Sequence, residues 1–242
     1  MADTYTAVVT GGAKGIGAEI ARRMLDNGYA VITIDVEPSQ IVHDKLTAIK
    51  TDLMDNTAVE ETARSIAAQH QVTHLVHNAG LIWPNLIEDA QAEDITGLAQ
   101  LHLGSALTLA KAFLPAMKQR KFGRIIFNGS RAMLGVKTRT AYSATKAGIA
   151  GMARTWALEL APHQITVNVI APGPVLTDNF WGLVPKDGEL QDRIAESIPV
   201  GRVGTVDDIA NAFMFFADEK SSFITGQTLF VCGGASIGLT AI

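Results

Sequence analysis

Apolar positions follow two alternating patterns along the chain. Short runs of β-branched and other apolar residues are separated by longer stretches with helical spacing. Nearly unbroken apolar runs are typical of strands in a parallel sheet that is covered on both faces. The runs predict seven strands, at residues 7–10, 30–35, 48–52, 73–78, 124–129, 165–171 and 228–231.

The intervening stretches predict helices, at about residues 15–27, 55–69, 92–119, 141–161 and 205–217. Asp55 and Thr205 stand where they can cap two of these helices. The alternation of strand and helix predicts an α/β fold of the Rossmann type, a doubly wound, seven-stranded parallel sheet with helices on both faces. No linker or repeat interrupts the pattern, so we expect a single domain over residues 1–242.

The region between Pro172 and Pro199 is the least regular part of the chain, since several prolines and glycines interrupt its pattern. A long irregular insertion in a compact domain is usually functional. We therefore expect a mobile lid over about residues 175–198, which orders when cofactor and substrate bind.

Composition narrows the classes of function. The chain has 20 Lys and Arg against 24 Asp and Glu, a net charge of −4, which argues against a nucleic-acid surface. No apolar run is long enough to span a membrane, and no secretory signal is recognisable. Cys232 is the only cysteine, which excludes an internal disulfide and suits the cytoplasm. His70, His74 and His77 do not share a face, so we expect no metal site.

The first candidate motif is a glycine loop after the first predicted strand. Gly11, Gly15 and Gly17 follow that strand and open a helix, which is the context of a dinucleotide-binding loop. Glycines there allow a tight turn, a close approach of backbone to pyrophosphate, and packing of helix against strand. The helix N-terminus would offer N–H groups to the phosphates. An ordinary glycine-rich turn is the alternative, and the strand and helix around the loop favour cofactor binding.

Asp35 ends the second predicted strand, 18 residues after Gly17. A carboxylate at this place accepts hydrogen bonds from ribose hydroxyls and repels a 2′-phosphate, so it favours NAD over NADP. Lys14 in the glycine loop could meet a phosphate and favour NADP, or it could simply be solvated. We expect NAD to be the cofactor and NADP to be the weaker alternative.

A second candidate motif pairs Tyr142 with Lys146, one turn apart on a predicted helix. A phenol has a reference pKa of about 10, and a nearby ammonium would lower it toward neutrality. Ser130 follows the predicted strand 124–129, at the sheet edge where ligands bind in parallel folds. Its hydroxyl could hold a carbonyl oxygen beside the phenol, or it could cap a turn.

Together these motifs resemble the short-chain dehydrogenase/reductase family, over essentially the whole chain. Each motif alone is weak, but their order and spacing are specific. The shared features are Thr10-Gly11-x-x-x-Gly15-x-Gly17, Asp52-Leu53, Asn78-Ala79-Gly80, Ser130, Tyr142-x-x-x-Lys146 and Pro172-Gly173 followed by Thr177.

The resemblance implies a role for each matching residue. Tyr142 would be the general acid/base, Lys146 would bind the nicotinamide ribose and lower the pKa of the phenol, and Ser130 would position the substrate oxygen. The remaining matches would contact or support the cofactor: Gly11, Lys14, Gly15, Ile16, Gly17, Asp35, Asp52, Leu53, Asn78, Ala79, Gly80, Pro172, Gly173, Val175 and Thr177. The family's usual assembly also implies a homo-oligomer, a tetramer or a dimer.

Three residues depart from the family pattern. His102 stands where the family usually has an Asn, its fourth catalytic residue, while His77 and Cys232 replace an Asn and an Asp and concern packing. A neutral imidazole can hold a water, and its reference pKa near 6.5 would let it carry charge in the working pH range. Lys146 nearby would favour the neutral form, and a histidine that merely fills space is the alternative. We expect His102 to act as a catalytic residue that adds a pH dependence.

These observations predict an NAD-linked alcohol dehydrogenase or ketone reductase with a small-molecule substrate. We expect that substrate to be largely apolar, because several large apolar residues fall in loops that should border the crevice: Trp83, Met133, Leu134, Phe180, Trp181 and Leu183. Apolar positions on the helices at 92–119 and 141–161 could form a subunit interface: Leu103, Leu107, Phe113, Met152, Trp156 and Leu160.

Two alternatives remain at this point. A 3-oxoacyl-carrier-protein reductase would use NADPH and a basic docking patch, to which Arg124 could contribute, although His163 stands where a second arginine would be sought. The second alternative is a dinucleotide-binding protein that has lost catalysis. His102 supports this alternative, because it replaces the family's usual catalytic Asn.

Overall fold

One parallel sheet organises the computed structural model, which describes residues 5–185 and 188–237. Its strand order is β3-β2-β1-β4-β5-β6-β7, and every pairing is parallel. The α/β doubly wound prediction is confirmed. The strands are β1 (Thr6–Thr10), β2 (Ala30–Asp35), β3 (Leu46–Lys50), β4 (His74–His77), β5 (Gly123–Asn128), β6 (Ile165–Pro172) and β7 (Thr228–Val231).

Helices connect the strands: α1 (Gly15–Asp26), α2 (Asn56–Gln69), α3 (Ala92–Ala99), α4 (Ser105–Arg120), α5 (Thr140–Leu160), α6 (Asp178–Trp181), α7 (Glu189–Glu196) and α8 (Val206–Ala217). Both predicted caps are confirmed. The Asp55 carboxylate accepts the backbone N–H groups of Thr57 and Ala58, and the Thr205 hydroxyl accepts that of Asp208. None of the described helices is long and apolar enough to cross a membrane.

Apolar side chains cover both faces of the sheet. Helices α1 and α8 bury Met24 and Phe213 on one face. Helices α2, α4 and α5 bury Val59, Leu109 and Ile149 on the other. Burial on both faces explains the nearly unbroken apolar runs of the central strands.

Strand β3 lies two residues earlier than predicted. It runs at one edge of the sheet, where Leu46 and Ile49 are only half-buried, so its apolar pattern is weak. The strand ends where Lys50 pairs with Asp35. Asp52 therefore lies in the following loop and not in the strand.

The single helix predicted at 92–119 is interrupted. A π-helical turn, Gln100–Gly104, separates α3 from α4, and His102 lies within it. The turn leaves the Leu101 carbonyl to accept the Ser105 hydroxyl at 2.7 Å, and His77 Nε2 lies 3.2 Å from the same oxygen. Single π turns inside helices are frequent at functional sites.

The region from 175 to 198 is more regular than expected. It contains α6 and α7, while residues 186 and 187 of the predicted lid lie outside the described residues. A small apolar cluster formed by Phe180, Val184, Ile198, Val203 and Cys232 packs beneath these helices. The expectation of an irregular segment is corrected, and its mobility stays a prediction.

The strand order places a crevice between β1 and β4. The chain leaves β1 towards β2 and β3 and returns on the other side at β4, so neighbouring connections diverge there. In open parallel sheets, ligands bind at this switch point, outside the carboxyl ends of the strands. The loops after β1, β4 and β5 meet at that edge.

Candidate active site

The glycines of the loop from β1 to α1 meet constraints that other residues would not satisfy. Gly11 and Gly15 have φ angles of 63° and 56°, in the left-handed region that favours glycine. A Cβ on Gly17 would lie 2.0 Å from the Gly11 carbonyl oxygen, and one on Gly11 would lie 2.9 Å from the Ala79 Cα. The first turn of α1 has no acidic side chain, and the Lys14 side chain does not cap it. This loop can therefore bring backbone N–H groups close to a phosphate.

Polar contacts join the ends of β1, β4 and β5. The Thr10 hydroxyl accepts the backbone N–H groups of Asn78 and Ala79 at 3.0 and 3.1 Å. The Asn78 amide donates to the carbonyls of Thr10 and Gly11, and its oxygen accepts the Asn128 amide at 2.9 Å. These bonds fix the spacing between the loops that border the crevice.

His77 completes this network. Burial lowers its pKa to about 3, so the ring is neutral and carries one N–H. Nδ1 lies 3.1 Å from the Thr10 hydroxyl and Nε2 lies 3.2 Å from the Leu101 carbonyl. Since a carbonyl only accepts, Nε2–H donates to Leu101 and Nδ1 accepts from Thr10. His77 thereby connects β1 to the π-helical turn, which agrees with its expected packing role.

A carboxylate pair borders the glycine loop. Asp35 accepts the backbone N–H groups of Ala13 at 3.0 Å and Glu37 at 3.1 Å. The Lys14 ammonium pairs with the Glu37 carboxylate at 2.8 Å, and this hydrogen bond raises the pKa of Lys14. The sequence reasoning missed Glu37, although an acid two residues after Asp35 was a visible signal. The charge of Lys14 is thus shared with an acid.

A cavity of about 470 Å³ runs along the carboxyl edge of the sheet. It brings together every predicted site residue except Gly17 and His102, which lie behind its wall. Its lining includes Gly11, Lys14, Gly15, Ile16, Asp35, Asp52, Leu53, Asn78, Ala79, Gly80, Ser130, Tyr142, Lys146, Pro172, Gly173, Val175 and Thr177.

Tyr142 and Lys146 lie one turn apart on α5, as predicted. Lys146 is 2% exposed, its ammonium donates to the Asn128 carbonyl at 2.7 Å, and burial lowers its pKa to about 7. Burial raises the pKa of Tyr142, while the Ser130 hydroxyl and the charge of Arg139 lower it in part. The Lys146 ammonium lies 5.5 Å from the centre of the Tyr142 ring and donates to Asn128, so its expected lowering of the phenol pKa stays a prediction.

Ser130 caps a turn, which is one of its two predicted possibilities, and its role in holding a substrate oxygen stays a prediction. Its hydroxyl accepts the Ala132 N–H at 3.1 Å and so caps the short 3-10 turn Arg131–Leu134. The same hydroxyl is a hydrogen-bond partner of the Tyr142 phenol. The cap holds this hydroxyl beside the phenol at the cavity wall.

His102 is completely buried in the π-helical turn. Its Nδ1 lies 2.9 Å from the Thr145 hydroxyl, which itself donates to the Ala141 carbonyl, so Nδ1–H is the donor. Nε2 is then an acceptor without a partner among the described residues. A Cβ on Gly80 would lie 2.9 Å from this nitrogen and 3.4 Å from the Lys146 ammonium, so both atoms face Gly80.

The imidazole of His102 stays neutral. Burial, followed by the nearby charge of Lys146, lowers the pKa of His102 far below its usual value. The expectation that His102 carries charge in the working pH range is therefore wrong.

The large apolar residues expected around the crevice only partly reach it. Phe180 and Leu183 line the cavity, together with Leu81, Ile82 and Val136, which were not predicted. Others lie elsewhere: Trp83 packs into the main core, Trp181 packs edge-on against Phe180, Leu134 points to solvent, and Met133 does not line the cavity.

Arg124 cannot serve a docking surface. Its side chain is 1% exposed, donates to the carbonyls of Gly123, Asp218 and Glu219, and stacks on the Phe122 ring at 4.3 Å. The suggestion that this residue contacts a carrier protein is corrected, because the guanidinium binds backbone inside the fold.

Comparison with known families gives one match over most of the chain. The model described as enoyl-(acyl carrier protein) reductase matches residues 11–236. The chain is 35% identical to the (2S)-[(R)-hydroxy(phenyl)methyl]succinyl-CoA dehydrogenase subunit BbsD of Thauera aromatica, over 96% of both chains. It is 36% identical to the 3-oxoacyl-[acyl-carrier-protein] reductase FabG of Escherichia coli (strain K12), over 94% of this chain and 96% of that one.

Solved structures give the same result. A short-chain dehydrogenase family protein from Francisella tularensis superposes with a TM-score of 0.90 at 28% identity, over 98% of this chain and 100% of that chain. A putative NAD(P)-dependent gluconate 5-dehydrogenase from Beutenbergia cavernae, with bound NADP at low occupancy, superposes with a TM-score of 0.87 at 30% identity, over 97% of both chains.

Burial of Lys146 predicts a stability that depends on pH. Its folded pKa of about 7 lies below the ordinary 10.5, so between these values the unfolded chain holds a proton that the folded chain has released. The contribution of Lys146 to the free energy of unfolding therefore rises with pH across that window, by at most about 1.4 kcal/mol per pH unit. We expect the wild type to gain stability relative to Lys146→Met between about pH 7 and 10, measured by urea unfolding without cofactor.

The exposed Lys137 offers a matched control, since Lys137→Met also removes one lysine. Its stability relative to the wild type should change little over the same range. A stability difference between the wild type and Lys146→Met that is independent of pH would mean that the Lys146 ammonium is solvated in the folded protein.

Proposed function

The chain belongs to the short-chain dehydrogenase/reductase family, and from this premise we propose that it interconverts secondary alcohols and ketones with NAD as its preferred cofactor. As a member, it is an oxidoreductase that transfers a hydride with a nicotinamide cofactor, and an alcohol or ketone is the proposed partner of that transfer. The observation that carries the proposal is that one cavity joins the glycine loop and Asp35 to Ser130, Tyr142 and Lys146.

The residues present fit a nicotinamide dinucleotide. Gly11 and Gly15 line the cavity, Gly17 lets α1 approach the end of β1, and the N-terminus of α1 begins at this loop. Asp35 would hold the adenosine ribose, and Asp52 with Leu53 would border the adenine. When bound, the cofactor supplies the hydride chemistry, while the protein supplies orientation and electrostatics.

Tyr142 would transfer the proton at the substrate oxygen. Its raised pKa keeps the phenol protonated near neutral pH, which suits proton donation to a ketone during reduction. Ser130 would hold the same oxygen beside the phenol. Lys146 would bind the nicotinamide ribose, and its pKa of about 7 lets it exchange a proton near neutrality.

The preference for NAD rests on charge. Two carboxylates, Asp35 and Glu37, line the end of the cavity where a 2′-phosphate would lie, and Glu37 pairs with the one cation of the loop, Lys14. The Beutenbergia cavernae protein was solved with NADP, so relatives alone do not favour NAD. The preference is therefore proposed from this chain's own side chains.

A 3-oxoacyl-carrier-protein reductase remains the second candidate. The identity to the Escherichia coli reductase favours it, whereas Arg124 is buried and cannot contribute to docking. A protein without catalysis is the weaker alternative, since Ser130, Tyr142 and Lys146 stand together in the cavity.

We also propose a single domain that works as a homo-oligomer in the cytoplasm, with α6 forming part of a lid over the substrate. Leu107 on α4 and Leu158 on α5 are exposed and could contact a second copy. Phe113 and Leu160, expected at that interface, belong to the protein's own core. Thr177, Phe180 and Leu183 bring the proposed lid to the cavity wall.

Replacing Tyr142 tests the proton transfer. Tyr142→Phe should lower kcat about 10²- to 10⁴-fold, because only the hydroxyl is lost. Binding of NADH, measured by fluorescence, should stay unchanged. The control Tyr5→Phe removes a hydroxyl that binds Glu219 at the surface and should keep full turnover. Retention of more than about a tenth of kcat in Tyr142→Phe would contradict the assigned role.

Steady-state kinetics test the cofactor preference. The ratio of kcat/KM for NADH over NADPH should exceed one in the wild type. Asp35→Ser should lower that ratio by removing the repelling carboxylate. Glu37→Gln should lower it as well, by releasing Lys14 to meet a phosphate. A wild type that prefers NADPH would overturn the proposal.

Two variants of His102 test a relay through its free nitrogen. We propose that neutral Nε2 accepts a hydrogen bond from a water that also contacts Lys146. His102→Asn keeps a polar side chain and should stay active. His102→Leu should slow turnover without weakening NADH binding. If the leucine variant kept full kcat across about pH 5.5 to 9, His102 would only fill space.

A further inference from the structure

Acidic and basic side chains line different parts of the cavity. Its acidic lining residues are Asp35, Glu37, Asp52 and Asp178. Glu37 and Asp178 both lie within 4.0 Å of the Lys14 ammonium, and Asp35 raises the pKa of the same lysine, so the acids gather at the glycine-loop end.

The end of the cavity beyond Ser130 is cationic. Arg131 and Arg139 line it, both half-buried. Within the described ranges, neither guanidinium has a carboxylate within 4.0 Å. Two arginines without acidic partners, at the wall of a cavity, favour an anionic ligand at that end.

Arg139 is held close to the proposed reaction centre. It immediately precedes α5 and lies three residues before Tyr142, and its charge lowers the pKa of the phenol in part. Its backbone pairs with Asn85, and Thr138 before it has a φ of 66°, an uncommon value for a residue with a side chain. The position of Arg139 is therefore set by a constrained turn.

Most donors of Arg139 remain available. Among the described residues, Arg139 finds hydrogen-bond acceptors only for Nη1, which donates to the Thr138 hydroxyl and carbonyl. Nε and Nη2 form the planar pair that binds a carboxylate with two parallel hydrogen bonds. Arg131 uses Nη1 for one long bond of 3.4 Å to the Ala235 carbonyl.

We propose that the substrate carries a carboxylate a few bonds from the reacting carbon, and that Arg139 binds this group with Arg131 beside it. The inference rests on the proposed function and names the substrate class of the same site. It replaces a largely apolar substrate by an acidic one whose carbon skeleton contacts Leu81, Ile82 and Val136. A carboxylate fits better than a phosphate of a long carrier arm, because Arg139 lies so near Tyr142.

Pairs of acids and esters test this class. We would compare oxidation of 3-hydroxybutanoate and 4-hydroxypentanoate with that of their methyl esters, using NAD and NADP. In the wild type the acid should have the higher kcat/KM, by about 10- to 100-fold, as expected for a hydrogen bond between charged groups. Arg139→Gln should abolish the preference, because kcat/KM should fall at least about 10-fold more for the acid than for the ester.

Lys137→Gln is the matched control, because it removes a charge from the same loop at a residue that does not line the cavity. It should keep the preference for the acid. Equal kcat/KM for acid and ester in the wild type would overturn the proposal. An equal loss for both in Arg139→Gln would also overturn it, since the residue would then only support the fold.

Two further measurements separate the remaining outcomes. Arg139→Gln could instead lower kcat/KM for 3-hydroxybutanoyl-CoA alone and not for its N-acetylcysteamine thioester. That result would show that the arginine binds a phosphate of the CoA, and it would overturn the proposed carboxylate site. Calorimetric titration of the protein–NAD complex with 4-oxopentanoate and its methyl ester needs no turnover, because oxidised NAD has no hydride to give to a ketone. Binding of the acid that depends on Arg139, without oxidation of any alcohol, would keep the site but reject the proposed function. No binding of the acid by the wild type would reject the site.

Discussion

The close approach of helix α1 to the end of strand β1 is the constraint on which the cavity depends. Gly17 lies so near the Gly11 carbonyl that any Cβ would be 2.0 Å from its oxygen. Asn78 holds the same carbonyl with its amide and accepts the amide of Asn128, whose backbone carbonyl receives the Lys146 ammonium. A continuous series of hydrogen bonds therefore connects the proposed phosphate loop to the proposed catalytic lysine. A displacement at either end would alter the contacts at the other.

Burial sets the chemistry of the polar groups at the centre of this line. It lowers the pKa of Lys146, raises that of Tyr142 and keeps His102 neutral. Charges near the surface then differentiate the two ends of the cavity. Carboxylates around Lys14 suit an unphosphorylated ribose, and the arginines near Tyr142 suit an acidic substrate. In the proposed arrangement, the two ends of one cleft thus differ in the sign of the charges that line them.

Much of the fold could be predicted because burial on both faces gives the central strands a strong apolar signal. Strand β3 was misplaced by two residues, since an edge strand that is half exposed has little pattern. The π-helical turn at Gln100–Gly104 has helical periodicity, and its contact with His77 joins residues distant in sequence, which no local pattern shows. The roles of Glu37 and Arg139 depend on which loops meet in space, so charge alone could not reveal them. The predictable part of the site consists of motifs that directly follow a strand in the sequence.

Isotope transfer tests the central claim, that the cavity carries out hydride transfer with a nicotinamide cofactor, most directly. The protein would be incubated with a ketone and with NADH deuterated at C4 of the nicotinamide, separately for each face, and the alcohol analysed by mass spectrometry. The account predicts one deuterium on the carbinol carbon from one face only, and at least about 100-fold less labelled alcohol with Tyr142→Phe over the same time. Alcohol that forms without deuterium from either face, or deuterium transfer that is undiminished in Tyr142→Phe, would contradict it.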